Sequence, residues 1–477
     1  MGKAEETEML GMAYNCVYNQ VARPKDKLVI GTKGLYKQNI GQDGKVEKYK
    51  CRLVAQGLWH VEGVHYTETY SPTPSTASIR MRLAMAAAKN GELRHFDAEQ
   101  AFLKADIDEE IYIEIPEEFQ EFPGAVGRLN KAIYGLVQAG RCWNSKFCDD
   151  RTAIGFEQAK TDPCVSRKVD AGETEMVVAV HVDGIPAHAK DQATMYIFAA
   201  ELGQKFRLKD MGDAGYYMGC HITRNRKAHE LKFDQHLYVE SMVRRFDENK
   251  EMRKFPYQEA VRALIWNATM TRPDIVCAVR AVARFCENPG PGHNKAVMTI
   301  FQYLLHTKTW GIAYGGQGCE LCMEAYTDSD FGACLDARRS VSGAVWMMAK
   351  GTISWHSRMQ EITASGTSEA EYVALSELVK EVPILRQVQG FTAPSMMVGA
   401  VNLFEDNEGG IKLATNKHAS RTTKHIDVKH HLARDASYAQ RVRVAYVRSE
   451  NQHADLLTKP LDMQKFYKDA KFILNVV

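Results

Sequence analysis

No apolar run in these 477 residues reaches the ~18 that a membrane span needs. Net charge is only +2, so no chain-wide field announces a polyanionic partner, and any basic footprint has to be local. No secretory leader is expected, because Met1 is soon followed by the acidic Glu5-Glu6-Thr7-Glu8. The cysteines form no framework: 11 is an odd number and they are scattered, which reads as reduced intracellular thiols. Cys319 and Cys322 make one Cys-x-x-Cys with no second pair at zinc-finger spacing, so they read as structural thiols. Internal repeats and low-complexity tracts are absent too. These absences lead to an expected cytoplasmic or nuclear location without a membrane partner. The remaining balance, 45% hydrophobic and 25% charged, is that of a globular chain of about three domains.

What the sequence does have is carboxylates beside apolar runs. The main one is Tyr326-Thr327-Asp328-Ser329-Asp330. Downstream lie Ser368-Glu369-Ala370-Glu371-Tyr372, Phe404-Glu405-Asp406-Asn407 and His453-Ala454-Asp455-Leu456. Such acids gathered on one rigid scaffold repel one another and call for divalent cations. Oxygen-only ligation selects Mg²⁺ or Mn²⁺. Paired metals on carboxylates cut or join phosphodiester bonds, so a nucleic-acid backbone is the expected target.

The pattern along the chain supports a coarse organisation. Residues 1–27 end in Arg23-Pro24-Lys25-Asp26-Lys27 and read as a linker. From Leu28 to Leu58, two apolar segments flank a turn at Gly41-Gln42-Asp43-Gly44, followed by Lys45, Lys48, Lys50 and Arg52. That alternation predicts a hairpin with a basic face. The Ala- and Leu-rich stretch Ser78 to Lys89 predicts a helix. Arg94 to Phe102 reads as a strand entering a turn, and Met176 to Val182 as a buried strand ending at Asp183-Gly184. Pro273 to Thr309 is helical in pattern, interrupted at Pro289-Gly290-Pro291-Gly292. From Glu324 onward strands and helices alternate, which predicts an α/β domain with a mixed sheet.

The segments KYKCRLVAQG, HYTETYSPTPS, HFDAEQAFLKADIDEEIYIEIPEEF, LNKAIYGLVQAGRCW, LKDMGDAGYYMGCHI, TRPDIVCAV, DARRSVSGAVW, ISWHSRMQEITASGTSEAEYVALSE, RTTKHIDVKHH and HADLLTKPL occur in this order. Together they resemble the reverse transcriptase and RNase H end of a copia-type (Pseudoviridae) long-terminal-repeat retrotransposon polyprotein. The resemblance runs from about Ile30 to Leu461. The capsid, protease and integrase parts of such a polyprotein have no counterpart here, so the expectation is a fragment or a decayed genomic copy. It implies an α+β right-hand polymerase with fingers, palm and a shortened thumb region, followed by an α/β RNase H-like domain with a mixed sheet. The expected domains are an N-terminal linker 1–27, reverse transcriptase fingers and palm 28–250, a thumb- or connection-like helical region 251–320, and an RNase H-like domain 321–477.

The resemblance also assigns residues. Family polymerases hold two Mg²⁺ or Mn²⁺ per active site on three aspartates. Asp97 and Asp183 match the first two, and the third position is Gly184. Losing one carboxylate ligand costs several kcal/mol, roughly a thousandfold in rate. Without the family, Asp183-Gly184 is a common hairpin turn. Pro186 follows where a return strand uses a backbone donor. Phe102 matches an aromatic that screens the sugar 2′-position, and it reads equally as core. Gln138 matches a residue near the incoming nucleotide. Lys50 and Arg52 match fingers residues that meet the triphosphate, and they read equally as a solvated face. Tyr216 to Ile222 resembles the primer-grip hairpin. The stretch Phe246 to Met252 is shorter than usual, and Gly34 stands where the family usually has tryptophan.

In the nuclease part, Asp328, Glu371, Asp406 and Asp455 match all four family acids. Asp328 lies on the first strand, Glu371 in the first turn of a helix, Asp406 at a strand end and Asp455 at the opening of the last helical segment. Singly, Glu371 or Asp455 reads as a helix-terminal charge. The stretch Arg421, Lys424, His425, Lys429, His430 and His431 reads as a hybrid-backbone contact or as a solvated face. The expected partners are an RNA template, a DNA primer, deoxynucleoside triphosphates and an RNA–DNA hybrid. The leading function is an RNA-directed DNA polymerase with RNase H, impaired in its polymerase half. The alternatives are a stand-alone RNase H-type nuclease and a non-catalytic nucleic-acid-binding remnant.

Overall fold

The computed structural model describes residues 2–40, 46–57, 63, 66–247, 255–334, 338–397, 399–416 and 431–476. The turn at Gly41 to Gly44, the stretch 248–254, and Arg421, Lys424, His425, Lys429 and His430 lie outside the described residues, as does the Lys48 side chain.

Residues 2–22 are not the linker their mixed composition suggests. Gly2–Tyr14 is a helix that buries Met9 and Met12. Tyr18–Ala22 then pairs antiparallel with Ala125–Leu129 at the edge of a four-stranded sheet. The helix packs on Val46–Ala55, which pairs with Thr32–Ile40 as an antiparallel hairpin. Two buried apolar side chains in 13 residues are too faint a stripe to signal a helix from sequence.

A six-stranded sheet follows, in the order Leu208–Asp213, Glu92–Ala98, Gly184–Ala189, Glu173–Ala179, Val165–Asp170, Glu157–Gln158. The predicted helix near Ser78 spans Thr76–Ala88, with the Ser75 hydroxyl accepting from the Ser78 amide at 3.0 Å. It is buried nearly all round, including Arg80 and Arg82. Burial of a guanidinium is tolerable only with hydrogen-bond partners. Arg82 donates to the Pro186 carbonyl at 3.0 Å. Arg80 donates to the carbonyls of Met270 (3.2 Å), Ile353 (2.9 Å) and Thr269, and stacks 3.8 Å over the Trp355 ring. This helix thereby joins the six-stranded sheet to the C-terminal half, and one apolar core runs from Ile79 to Leu474.

Pro186 lies inside that sheet without breaking it. The Glu173–Ala179 strand pairs with Ala189, His188 and Ala187 and stops there. Pairing thus ends one residue before proline, where no amide N–H is available to continue it.

A second four-stranded sheet, Tyr216–Tyr217, Cys220–Asn225, Glu230–Asp234 and Gly311–Gly315, leads into helices His236–Asp247, Tyr257–Met270, Val276–Ala283 and Pro291–His306. Pro291 opens the last of these, where a missing N–H costs nothing. The C-terminal sheet has the order Gly351–Met359, Val341–Met348, Met323–Asp330, Val401–Glu405, Val442–Tyr446. Its first three strands are antiparallel and the last two join in parallel. The 26-residue helix Thr367–Thr392 packs against it. Among the described residues, no helix is long and apolar enough to cross a membrane.

Candidate functional sites

The first acidic pair sits at the centre of the six-stranded sheet. Asp97 is the penultimate residue of the Glu92–Ala98 strand, and its cross-strand partner is Gly184. Asp183 precedes Gly184 in a two-residue turn closed by His181 and Gly184 amide-to-carbonyl bonds of 2.9 and 3.0 Å. Val182 in that turn has φ 59°, a left-handed conformation that costs a β-branched residue energy. Trp143 Nε1 donates to the Val182 carbonyl at 2.5 Å and helps hold it. The Ala98 amide donates to the Asp183 carbonyl at 2.9 Å, which fixes the two aspartates on neighbouring strands. Partial burial, and then the Asp183 charge, push the Asp97 carboxyl up, while Lys50 opposes the shift. Arg52 lies 4.5 Å over the Tyr134 ring, and Phe102 packs on that ring at 5.1 Å. Lys50 thus lies within electrostatic reach of Asp97, while Arg52 and Phe102 gather on Tyr134, which itself feels the charges of both aspartates. Gln138 does not join them at an open surface, for it is fully buried at the start of helix Ala139–Ala153. Position 184 supplies no carboxylate, and an added Cβ there would meet His95 Nε2 at 3.0 Å. Two carboxylates are a poor fit to a pair of divalent cations.

The second cluster is at the parallel junction of the C-terminal sheet. Asp328 lies within Met323–Asp330, Glu371 in the first turns of Thr367–Thr392, and Asp406 just past Val401–Glu405. One carboxylate oxygen from each of the three falls within 4.8 Å of the others. Asp455 opens the four-residue helix Asp455–Thr458, not the final helix, which is Met463–Leu474. Its charge reaches Asp328 and raises that carboxyl.

Two close approaches make this convergence possible. Gly343 is paired directly with Asp328, and a Cβ on it would lie 2.6 Å from Thr458 Cγ2 and 2.9 Å from Leu457 Cβ. The missing side chain lets the Asp455–Thr458 turn settle on the strand. Gly410, in helix Glu408–Thr415, would place a Cβ 3.2 Å from the Glu371 Cβ. Asn407 caps that helix, its side chain accepting from the Gly410 amide at 2.9 Å.

The electrostatics are those of a site short of positive charge. Burial pushes the Asp328 carboxyl up to about 7, with Asp455 adding to the shift. Burial raises Glu371 strongly, and Glu405, Asp328 and Asp406 add to it. Glu405, which the sequence reading did not single out, is fully buried and raised well above its ordinary value, first by burial. Its amide partner, Asn407, opposes this at 3.0 Å. Glu371 Oε2 and Glu405 Oε2 are buried without hydrogen-bond partners. Orphaned carboxylate oxygens in a buried acidic cluster fit oxygen-ligated divalent cations. Lys459 is the nearby counter-charge, 3.3 Å from Asp328 Oδ1 and 2.8 Å from Asp455 Oδ1. The Thr458 hydroxyl donates to Asp328, and Lys465 reaches Asp455 at 3.2 Å. Lys459 lay in HADLLTKPL, four residues after Asp455, and that spacing could have signalled it. Of the basic stretch ending at His431, only His431 is described, and its Nδ1 is 3.0 Å from the Tyr372 hydroxyl beside Glu371.

Comparison with known proteins decides the family. Residues 15–256, just over half of the chain, match the family model described as reverse transcriptase (RNA-dependent DNA polymerase). The chain belongs to this reverse transcriptase family. It is 33% identical over 497 aligned residues to the retrovirus-related Pol polyprotein from transposon TNT 1-94 of Nicotiana tabacum. That alignment covers 97% of this chain and 37% of the tobacco protein. It is 28% identical to the Pol polyprotein from transposon RE1 of Arabidopsis thaliana, covering 94% of this chain and 32% of that protein. The chain thus spans about a third of the length of these relatives, and the copia-type resemblance of its motifs holds. Its fold is weakly similar to that of a foamy viral protease-reverse transcriptase in complex with RNA/DNA hybrid. The TM-score is 0.43 at 9% identity, covering 89% of this chain and 51% of that one, too weak a likeness to argue from.

Proposed function

We propose that this reverse transcriptase family member is an RNA-directed DNA polymerase with RNase H activity, in which the nuclease half keeps its full carboxylate set and the polymerase half is impaired. In this reading residues 28–250 are fingers and palm, 251–320 a thumb- or connection-like region and 321–477 an RNase H-like domain. The observation that carries it is the convergence of Asp328, Glu371 and Asp406, with Asp455 beside them.

Asp328, Glu371, Asp406 and Asp455 would hold a pair of Mg²⁺ or Mn²⁺ ions. Bound there, such ions stabilise charge on a phosphoryl group and template an in-line displacement. The protein's own part is preparation. The sheet and the Thr367–Thr392 helix fix the carboxylates before substrate arrives, so little reorganisation is left for the reaction. Lys459 holds Asp328 and Asp455 together while their charges are otherwise unbalanced. Glu405 sits behind Glu371 and opposes its ionisation, so ionising both carboxyls calls for a cation. The substrate of this half is the RNA strand of an RNA–DNA hybrid. Recognition by shape and ribose 2′-hydroxyl suits it, since the A-form major groove hides base edges.

In the polymerase half, Lys50 and Arg52 would meet the triphosphate of an incoming deoxynucleotide, while Asp97 and Asp183 lack a third carboxylate partner. RNA template and DNA primer are the other partners of this reading. Gly184 favours a second reading, a nuclease without polymerase function. Primer extension and RNA–DNA hybrid cleavage, run in parallel on one preparation, separate the two. Cleavage with slow extension supports the impaired enzyme, and cleavage without extension supports the nuclease. Failure of both leaves only a nucleic-acid-binding remnant.

A further inference from the structure

A different set of ligating side chains lies on the second four-stranded sheet. His221 is on strand Cys220–Asn225, Asp234 ends strand Glu230–Asp234, and His236 opens helix His236–Asp247. One ligating atom from each lies within 4.8 Å of the others. Register creates the group. His221 and Asp234 stand directly opposite each other in the antiparallel pair, so their side chains share a face. The chain then turns at once into the helix, and Asp234 Oδ1 accepts the His236 amide at 3.1 Å. The turn brings the His236 ring back over the strand ends. Its Nδ1 lies 2.6 Å from that same oxygen, and its ring is 5.1 Å from the His221 ring at an interplanar angle of 81°.

We propose that His221, Asp234 and His236 bind a transition-metal ion, zinc by the chemistry of the ligands. Two imidazoles and one carboxylate suit Zn²⁺, whereas the all-oxygen cluster around Asp328 suits Mg²⁺ or Mn²⁺. Tetrahedral ligation with arms of about 2.0–2.1 Å needs ligand atoms roughly 3.3 Å apart. The separations here come within side-chain rotation of that value, while the strand pairing holds the backbone in place. Asp234 is buried, and the two histidines are half-exposed, which gives the ion a path in. His221 also has an orienting partner, since Thr223 Oγ1 lies 3.1 Å from its Nδ1. Such outer contacts fix the tautomer and orientation of ligating imidazoles. A helix-start acceptor with an Asp–His pair explains Asp234 and His236. It leaves unexplained why His221 completes the group. Three protein ligands leave a fourth position for water or an added group. A bound ion would tie this hairpin to the helix.

Metal-free full-length chain titrated with Co²⁺ and with Zn²⁺ tests this, read by visible absorbance of the cobalt form and by bound-metal stoichiometry. The expected result is one zinc equivalent with a tetrahedral cobalt spectrum, retained in Asp328→Asn. Combining His221→Gln with His236→Asn removes that equivalent while leaving melting in chelator unchanged, which shows that the variant folds. Thr223→Val weakens zinc binding about 10–100-fold. Absence of binding by the unmodified chain overturns the proposal. So does the same stoichiometry and affinity in the folded double variant, which places the zinc elsewhere.

Discussion

Gly184 stands directly opposite Asp97 in the antiparallel pairing of two central strands. A side chain at 184 would therefore share the face of the sheet that carries Asp97. Gly184→Asp would supply the third carboxylate, with His95 as the neighbour that must turn aside. Primer extension by the variant is expected to be roughly a thousandfold faster, about 4 kcal/mol of barrier. Equal rates in the two proteins would show that two carboxylates suffice.

Gly343 governs the other site by leaving room. Gly343→Ala forces the Asp455–Thr458 turn away from Asp328. Misplacement by about 1 Å costs on the order of a hundredfold in rate, and overpacking costs about 1–3 kcal/mol of stability. Single-turnover hybrid cleavage and denaturant unfolding measure both effects. Unaltered cleavage would mean that the position of Asp455 is unimportant.

The two halves differ in how much of them the sequence reveals. Asp97 and Asp183 lie on neighbouring strands, and short-range pattern marks the Asp97 strand and, separately, the strand and turn that lead to Asp183. The Thr76–Ala88 helix is legible from Ala and Leu content, but not the burial of Arg80 and Arg82, which depends on carbonyls contributed by distant segments. The i+4 spacing marks Lys459 as a partner of Asp455, but Lys459 reaches Asp328 only because Gly343 leaves room for the Asp455–Thr458 turn on a remote strand. Spacing along the chain carries no trace of such an approach. Pro186 looks disruptive in sequence, yet one side of its strand has already stopped pairing. Gln138 lies within a recognisable motif, and only the packed structure shows it buried.

His188 gives a pH dependence. Burial, followed by repulsion from Arg82 and Arg224, pushes its imidazole down to about 3. An unfolded histidine takes up its proton near pH 6.5. Stability is thus fully present above about 6.5 and is lost as pH falls towards 3, at up to about 1.4 kcal/mol per pH unit. Urea unfolding at pH 7 and pH 5 should show a loss in the unmodified chain about 2 kcal/mol larger than in His188→Leu. Equal losses would refute the assignment.

The acidic cluster has the opposite sign. Folded carboxyls raised by burial, such as Asp328 at about 7, contribute stability below their unfolded values near 4. That contribution disappears as pH rises through 7. A divalent cation relieves the repulsion, so Mg²⁺ should raise the melting temperature more at pH 8 than at pH 5. In Asp328→Asn most of that difference should vanish. An identical Mg²⁺ effect at both pH values, or an unchanged one in the variant, contradicts metal binding by these acids.

Cleavage of the RNA strand of an RNA–DNA hybrid in Mg²⁺, by the unmodified chain and by Asp328→Asn, tests the central claim most directly. The substitution keeps the volume and removes the charge of a carboxylate that pairs with Lys459 and feels the charge of Asp455. The unmodified chain should cut without base preference. The variant should bind hybrid, with affinity that falls as salt rises, and leave the RNA intact. Undiminished cleavage by a folded Asp328→Asn protein would show that these acids are structural.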